Sequence, residues 1–104
     1  MNITPPPTSV ITQCQVFPIF KKEAHAKLLG FARILINDEI LLTSMRIYDG
    51  TKGPFVAYPN DPHHKGEDYR QLYYPITKNL RDYIEETILA EYNRMMEVHK
   101  NENA

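Results

Sequence analysis

The sequence predicts an α+β fold: an antiparallel β-sheet meander of about four to five strands followed by one long C-terminal amphipathic helix. Three observations carry this expectation. Much of the stretch from Val10 to Tyr58 alternates apolar and polar side chains with a period of two, as half-buried strands do. After Pro75 the apolar period changes to three or four, the period of a helix. The strands come first and the helix last, so no crossover helix is available for parallel pairing.

Each element follows in order. Pro5-Pro6-Pro7 cannot pair in a sheet centre, so residues 1–9 are expected to form a flexible Pro-rich arm. In Val10–Phe20, alternation places Val10, Thr12, Cys14 and Val16 on one face, and Pro18 marks an edge, a bulge or the strand's end. Lys21-Lys22-Glu23 reads as a turn. A second run spans Lys27–Asn37, and Asn37-Asp38 suits a tight hairpin because both residue types tolerate positive φ. Uninterrupted alternation in Ile40–Tyr48 would put Leu42, Ser44, Arg46 and Tyr48 opposite Leu41, Thr43, Met45 and Ile47. Asp49-Gly50-Thr51-Lys52-Gly53 is the strongest turn signal. Phe55–Tyr58 is a fourth strand, residues 60–68 a polar loop, and Tyr69–Tyr74 a candidate fifth strand. Leu80, Ile84, Ile88, Tyr92 and Met95 then form the stripe of a helix over Lys78–Val98. Thr77 or Asn79 could cap it. A single domain over 10–98 and a disordered tail over 99–104 complete the expected organisation.

Composition bounds the function. The chain has 104 residues, enough for one core, and 42% hydrophobic with 24% charged residues is ordinary for a globular protein. No apolar run approaches the roughly 20 residues of a membrane span, and the start lacks a signal-peptide pattern, so a soluble cytoplasmic protein is expected. The lone Cys14 fits a reducing compartment and reads as a buried small hydrophobe. Net charge is −1 but unevenly spread. Residues 1–81 hold ten Lys/Arg against seven Asp/Glu, and residues 82–104 hold two against six. The basic surplus in the first part is modest and could be a solvated surface.

No catalytic constellation is present in the pattern. There is no Gly-rich phosphate loop and no nucleophile elbow. His63-His64 lacks a second pair at ligand spacing, so no metal site is expected. Glu85-Glu86 reads as a solvated helix face. Asp49-Gly50 and Gly53 could nest an anion on backbone amides, but a hairpin needing positive φ explains them. Tyr69, Tyr73 and Tyr74 surround Arg70. Aromatics beside a cation can stack unpaired bases, though tyrosine is equally a strand and interface residue.

The order of motifs resembles the stage V sporulation protein G (SpoVG) family. Met45–Pro59 resembles its signature, in which an Arg (Arg46) and an Asp-Gly-x-x-Gly turn precede a Phe-Val-Ala-x-Pro strand. Gly66-Glu67 and Tyr69-Arg70 resemble its Gly-Glu-aromatic-Arg segment. Pro75-Ile76 matches its Pro-Ile, and Arg81, Ile84, Leu89, Glu91 and Tyr92 fall at its helical spacing. The resemblance implies a small homodimeric regulator, without enzymatic activity or cofactor, that binds DNA or RNA and affects gene expression, septation and sporulation. It further implies nucleic-acid contact through the loop and helix start beyond the last strands. The candidate contact residues are Lys52, Lys65, Tyr69, Arg70, Lys78 and Arg81. Neither a membrane nor a small-molecule substrate is expected as a partner. A protein-interaction module on the same fold, lacking nucleic-acid contact, is the alternative.

Overall fold

A computed structural model describes residues 9–20, 27–64 and 70–102. Four strands, β1 (Ile11–Pro18), β2 (Leu28–Ile36), β3 (Ile40–Gly50) and β4 (Gly53–Ala57), precede one helix, α1 (Lys78–Glu102). The strands form one sheet in the order β1-β2-β3-β4. All three pairings are antiparallel.

Turn chemistry fixes the hairpins. Asn37 and Asp38 both take positive φ, 54° and 58°, the geometry that matches a two-residue loop to strand twist. Gly53 has φ 112°, which an L side chain rarely adopts. It pairs with Gly50, so only Thr51 and Lys52 lie between β3 and β4.

Cross-strand rows then sort the side chains. Val16, Ala32 and Met45 form one row, and Ile47 pairs with Val56. All five are buried. Helix α1 lays Ile84, Ile88 and Tyr92 onto this face. Ile34, Met45, Ile47 and Ile88 are the largest fully buried side chains. Each such burial stabilises by about 1.5–3 kcal/mol.

The pairing is irregular in three places; one shift, between Leu28 and Gly30, lets both Leu29 and Ala32 face the core, and the other two alter expected faces. The register shifts between Ile11 and Gln13, so Ile11 packs on the core and Thr12 is exposed. The register shifts again between Ala32 and Ile34, opposite Ser44, whose φ is 67°. This bulge moves Leu42 to the core side with Met45 and Ile47, while Leu41 stands 53% exposed on the other. A bulge inserts one residue and therefore reverses every later face assignment.

Two further expectations change. Residues 70–74 form no fifth strand; their pairing is a single bridge between Gln71 and Asn60. Pro75 and the exposed Leu72 and Tyr74 leave nothing to extend the ladder. The helix does not stop at Val98 but continues through residues 99–102. There His99 stacks on Phe20 with ring centroids 3.8 Å apart, giving the last turn a tertiary contact. The Pro-rich arm, the Lys21-Lys22-Glu23 turn and the last two residues of the expected tail lie outside the described residues.

Candidate nucleic-acid interface

Two of the six expected residues sit on the first turn of α1. Thr77 caps the helix: the Leu80 amide donates to Thr77 Oγ1 at 3.2 Å, and the Arg81 amide donates to the Thr77 carbonyl at 3.1 Å. Lys78 Nζ donates to Asp82 Oδ2 at 2.6 Å. That hydrogen bond and the carboxylate's charge raise the Lys78 pKa. Arg81 Nη2 donates to the Pro75 carbonyl at 3.4 Å. Burial raises the Glu85 carboxyl, and the Arg81 charge partly offsets this. Both cations therefore carry anionic neighbours on their own helix.

Beneath this turn lie two tyrosines. Tyr58 and Tyr73 meet edge to face, centroids 6.2 Å apart. The Tyr73 hydroxyl donates to the Thr43 carbonyl at 2.7 Å, while the buried Tyr58 hydroxyl has no partner among the described residues. Burial pushes both phenols up to about 12. Glu85 raises Tyr58 further and Arg81 lowers it.

The chain from Tyr58 to Leu72 folds back on itself. The Leu72 amide donates to the Pro59 carbonyl at 2.8 Å, and the Asp61 amide to the Arg70 carbonyl at 2.6 Å. Arg70 is exposed on the returning segment. Arg81 lies near enough to Tyr58 for its charge to lower that phenol, whereas Arg70 lies across from Asp61. Lys52 does not join them. It lies in the β3–β4 turn, six residues before Tyr58, roughly 17–20 Å along an extended strand. Lys65 and Tyr69 lie outside the described residues.

Two further cations, Arg33 and Arg46, lie on the face of the sheet away from the helix. Phe17, Phe31, Arg46 and Ala57 form one cross-strand row on the face away from the helix. On that face Gln15 pairs with Arg33, and Tyr48 with Phe55. Arg33 Nε donates to Gln15 Oε1, and its guanidinium carbon stands 5.5 Å from the centre of the Phe17 ring. Arg46 Nη1 reaches the Tyr48 hydroxyl at 3.4 Å. Alternation along single strands does not relate Arg33 to Arg46; the β1–β2 and β2–β3 registers do.

A four-stranded antiparallel meander with one long helix on one face defines a small α+β protein. The SpoVG family profile matches residues 10–94. The chain is 36% identical over 74 residues to "Putative septation protein SpoVG" of Priestia megaterium, covering 71% of this chain and 76% of that one. It is 30% identical over 84 residues to the protein of the same name in Borreliella burgdorferi (strain ZS7), covering 81% and 86%. It is 35% identical over 75 residues to "Putative septation protein SpoVG 2" of Listeria monocytogenes, covering 72% of each. The chain belongs to the SpoVG family. Among the described residues, no helix is long and apolar enough to cross a membrane.

Proposed function

We propose that this chain is a non-enzymatic, cytoplasmic regulator that binds nucleic acid as a homodimer and acts on septation, sporulation and gene expression. The observation that supports the reading is the placement of Arg70 on the loop, its carbonyl held by the Asp61 amide, and of Lys78 and Arg81 at the helix start of a SpoVG-family chain, Arg81 being held by the Pro75 carbonyl. Arg70, Lys78 and Arg81 contact phosphates, with Lys65 and Tyr69 on the same loop and Lys52 as an outlying cation. Exposed Leu72, Tyr74 and Ile76, the last 87% exposed, support self-association, because a run of apolar side chains in water marks an interaction surface.

Fluorescence anisotropy against single-stranded DNA, duplex DNA and RNA at about 50 and 200 mM salt tests this. Three phosphate contacts predict roughly 40-fold weaker duplex binding across that range. Arg70→Ala and Arg81→Ala weaken binding while light scattering still reports a dimer. No binding at the lower salt refutes the reading and favours the protein-interaction module, for which the Leu72–Ile76 segment is the surface. Unchanged binding by both variants refutes the site assignment alone.

A further inference from the structure

We infer that the helix-free face of the sheet is a stacking platform for an unpaired nucleic-acid strand, built from Phe17, Phe31, Tyr48 and Phe55 with Arg33 and Arg46. The inference rests on the nucleic-acid reading above but concerns a separate surface.

The face is uncovered. Phe17, Phe31 and Phe55 stand 49%, 38% and 46% exposed, and α1 packs on the opposite side. Solvating three phenyl rings on one surface is costly, so a face retaining them has an occupant. The rings come as two pairs. Phe17 lies directly across from Phe31. Tyr48 lies across from Phe55, centroids 5.9 Å apart. Arg46 stands between the pairs: it is opposite Phe31 across the ladder and two residues from Tyr48 along β3, roughly 7 Å.

Three features choose a nucleic-acid strand as the occupant. First, charge: the outward strand positions among the described residues carry Arg33 and Arg46 and no carboxylate. Asp49, the nearest acid in β3, falls on the other side, where its charge reaches Tyr92. A second copy docked by two-fold symmetry would set this cationic patch against itself, with nothing to neutralise it. Second, chemistry: aromatic rings and guanidinium planes are the groups on which unpaired bases stack, whereas a duplex keeps its base faces hidden. Third, continuity: a concavity of about 500 Å³ lined by Arg46, Tyr48, Ala57, Pro59, Asn60 and Leu72 joins the face to the loop carrying Arg70. A strand crossing the platform would run directly into the phosphate-contacting loop.

The probes are a fluorescein-labelled oligothymidylate and a mixed-sequence duplex, titrated with wild type, Tyr48→Leu, Phe55→Leu and Arg46→Gln. Loss of one stacking ring predicts about 5- to 150-fold weaker single-strand binding. Duplex affinity, dimer mass by light scattering and melting temperature remain those of wild type. Arg46→Gln lowers the single-strand salt slope by about 0.7, and because this residue is exposed it remains testable should a ring variant fail to fold. Single-strand binding within twofold of wild type in the folded ring variants and in Arg46→Gln overturns the platform and leaves the Arg70 site standing. Loss of the dimer in these variants also overturns it, assigning the face to a second copy. A wild type that binds neither probe overturns both readings.

Discussion

Replacing Ile88 by alanine tests whether α1 is held by its buried stripe. Ile88 is fully buried, between Ile84 and Tyr92 on the same helix face. Removing its side chain forfeits transfer free energy and leaves a cavity, at about 2–5 kcal/mol. Leu89, Met95 and Met96 are only partly buried and pack against the same core. Their flexibility permits some collapse, which places the loss near 3 kcal/mol. Alanine's better helix propensity returns a few tenths of that. For 104 residues the unfolding entropy is roughly 0.2 kcal/mol/K, so the melting temperature falls by about 14 °C. The assay is circular dichroism at 222 nm during heating, with Val98→Ala as the control. Val98 is 43% exposed and should shift stability by less than about 0.5 kcal/mol. A loss under about 1 kcal/mol for Ile88→Ala would show that the helix is not docked through this stripe.

Other expectations follow from single contacts. Tyr58→Phe removes a buried hydroxyl without a partner and should stabilise by about 1 kcal/mol in urea denaturation; clear destabilisation would mean that the hydroxyl is satisfied. Tyr58 and Tyr73 have folded pKa values raised to about 12 from 10, so the folded state holds these protons more tightly. The stability they contribute is fully present below pH 10 and is lost as pH rises towards 12. Urea midpoints measured from pH 9 to 12 should fall accordingly, and less steeply in Tyr73→Phe than in wild type. A β-carbon on Gly30 would meet the Phe17 carbonyl oxygen at 2.7 Å and the Pro18 α-carbon at 3.0 Å, both backbone. Gly30→Ala should therefore cost about 1–3 kcal/mol in thermal melts, and wild-type stability would show that β1 yields freely. Lys78, one of the three proposed phosphate contacts, is paired with Asp82 at 2.6 Å; Lys78→Gln should weaken duplex binding and reduce its salt slope by about 0.9. An unchanged slope would remove Lys78 from the interface.

How much of this was legible depended on whether the deciding interaction was local. Asn37-Asp38 announced its turn because few residue pairs tolerate two consecutive positive φ angles. The helix stripe was legible from spacing alone, and so was the pairing of Lys78 with Asp82, four residues on. The Ser44 bulge was not. Serine is not a residue that declares positive φ, and the bulge exists because β2 and β3 must keep Ile34 opposite Leu42 and Ala32 opposite Met45. Missing it reversed the faces of Leu41 and Leu42. The candidate site divided along the same line. Arg81 could be placed on the helix start from its neighbours, but its turn towards the Pro75 carbonyl depends on how the loop arrives. Lys52 was grouped with Arg70 on the family resemblance and the basic surplus of residues 1–81, although β4 separates them. Arg33 and Arg46 became a pair only once the register put them on one face.

Net charge misdescribes what this molecule presents to a polyanion. The total is −1, which by itself argues against phosphate binding. The acidic surplus, however, resides in residues 82–104, almost all on α1, and α1 covers the inner face of the sheet. Its solvent-facing carboxylates stand at least a helix diameter, about 10 Å, from the outer face. That exceeds the Debye length of about 8 Å at physiological salt. Arg33 and Arg46 are therefore screened from the acidic helix but not from a strand lying on Phe31 and Tyr48. At the helix start the situation is the reverse: Lys78 and Arg81 have Asp82 and Glu85 within one turn, and a phosphate must compete with those carboxylates. As salt is lowered the Debye length grows past the thickness of the molecule, and the acidic helix begins to oppose binding on both surfaces. Affinity should consequently rise less steeply below about 50 mM salt than the slope measured between 50 and 200 mM would extrapolate.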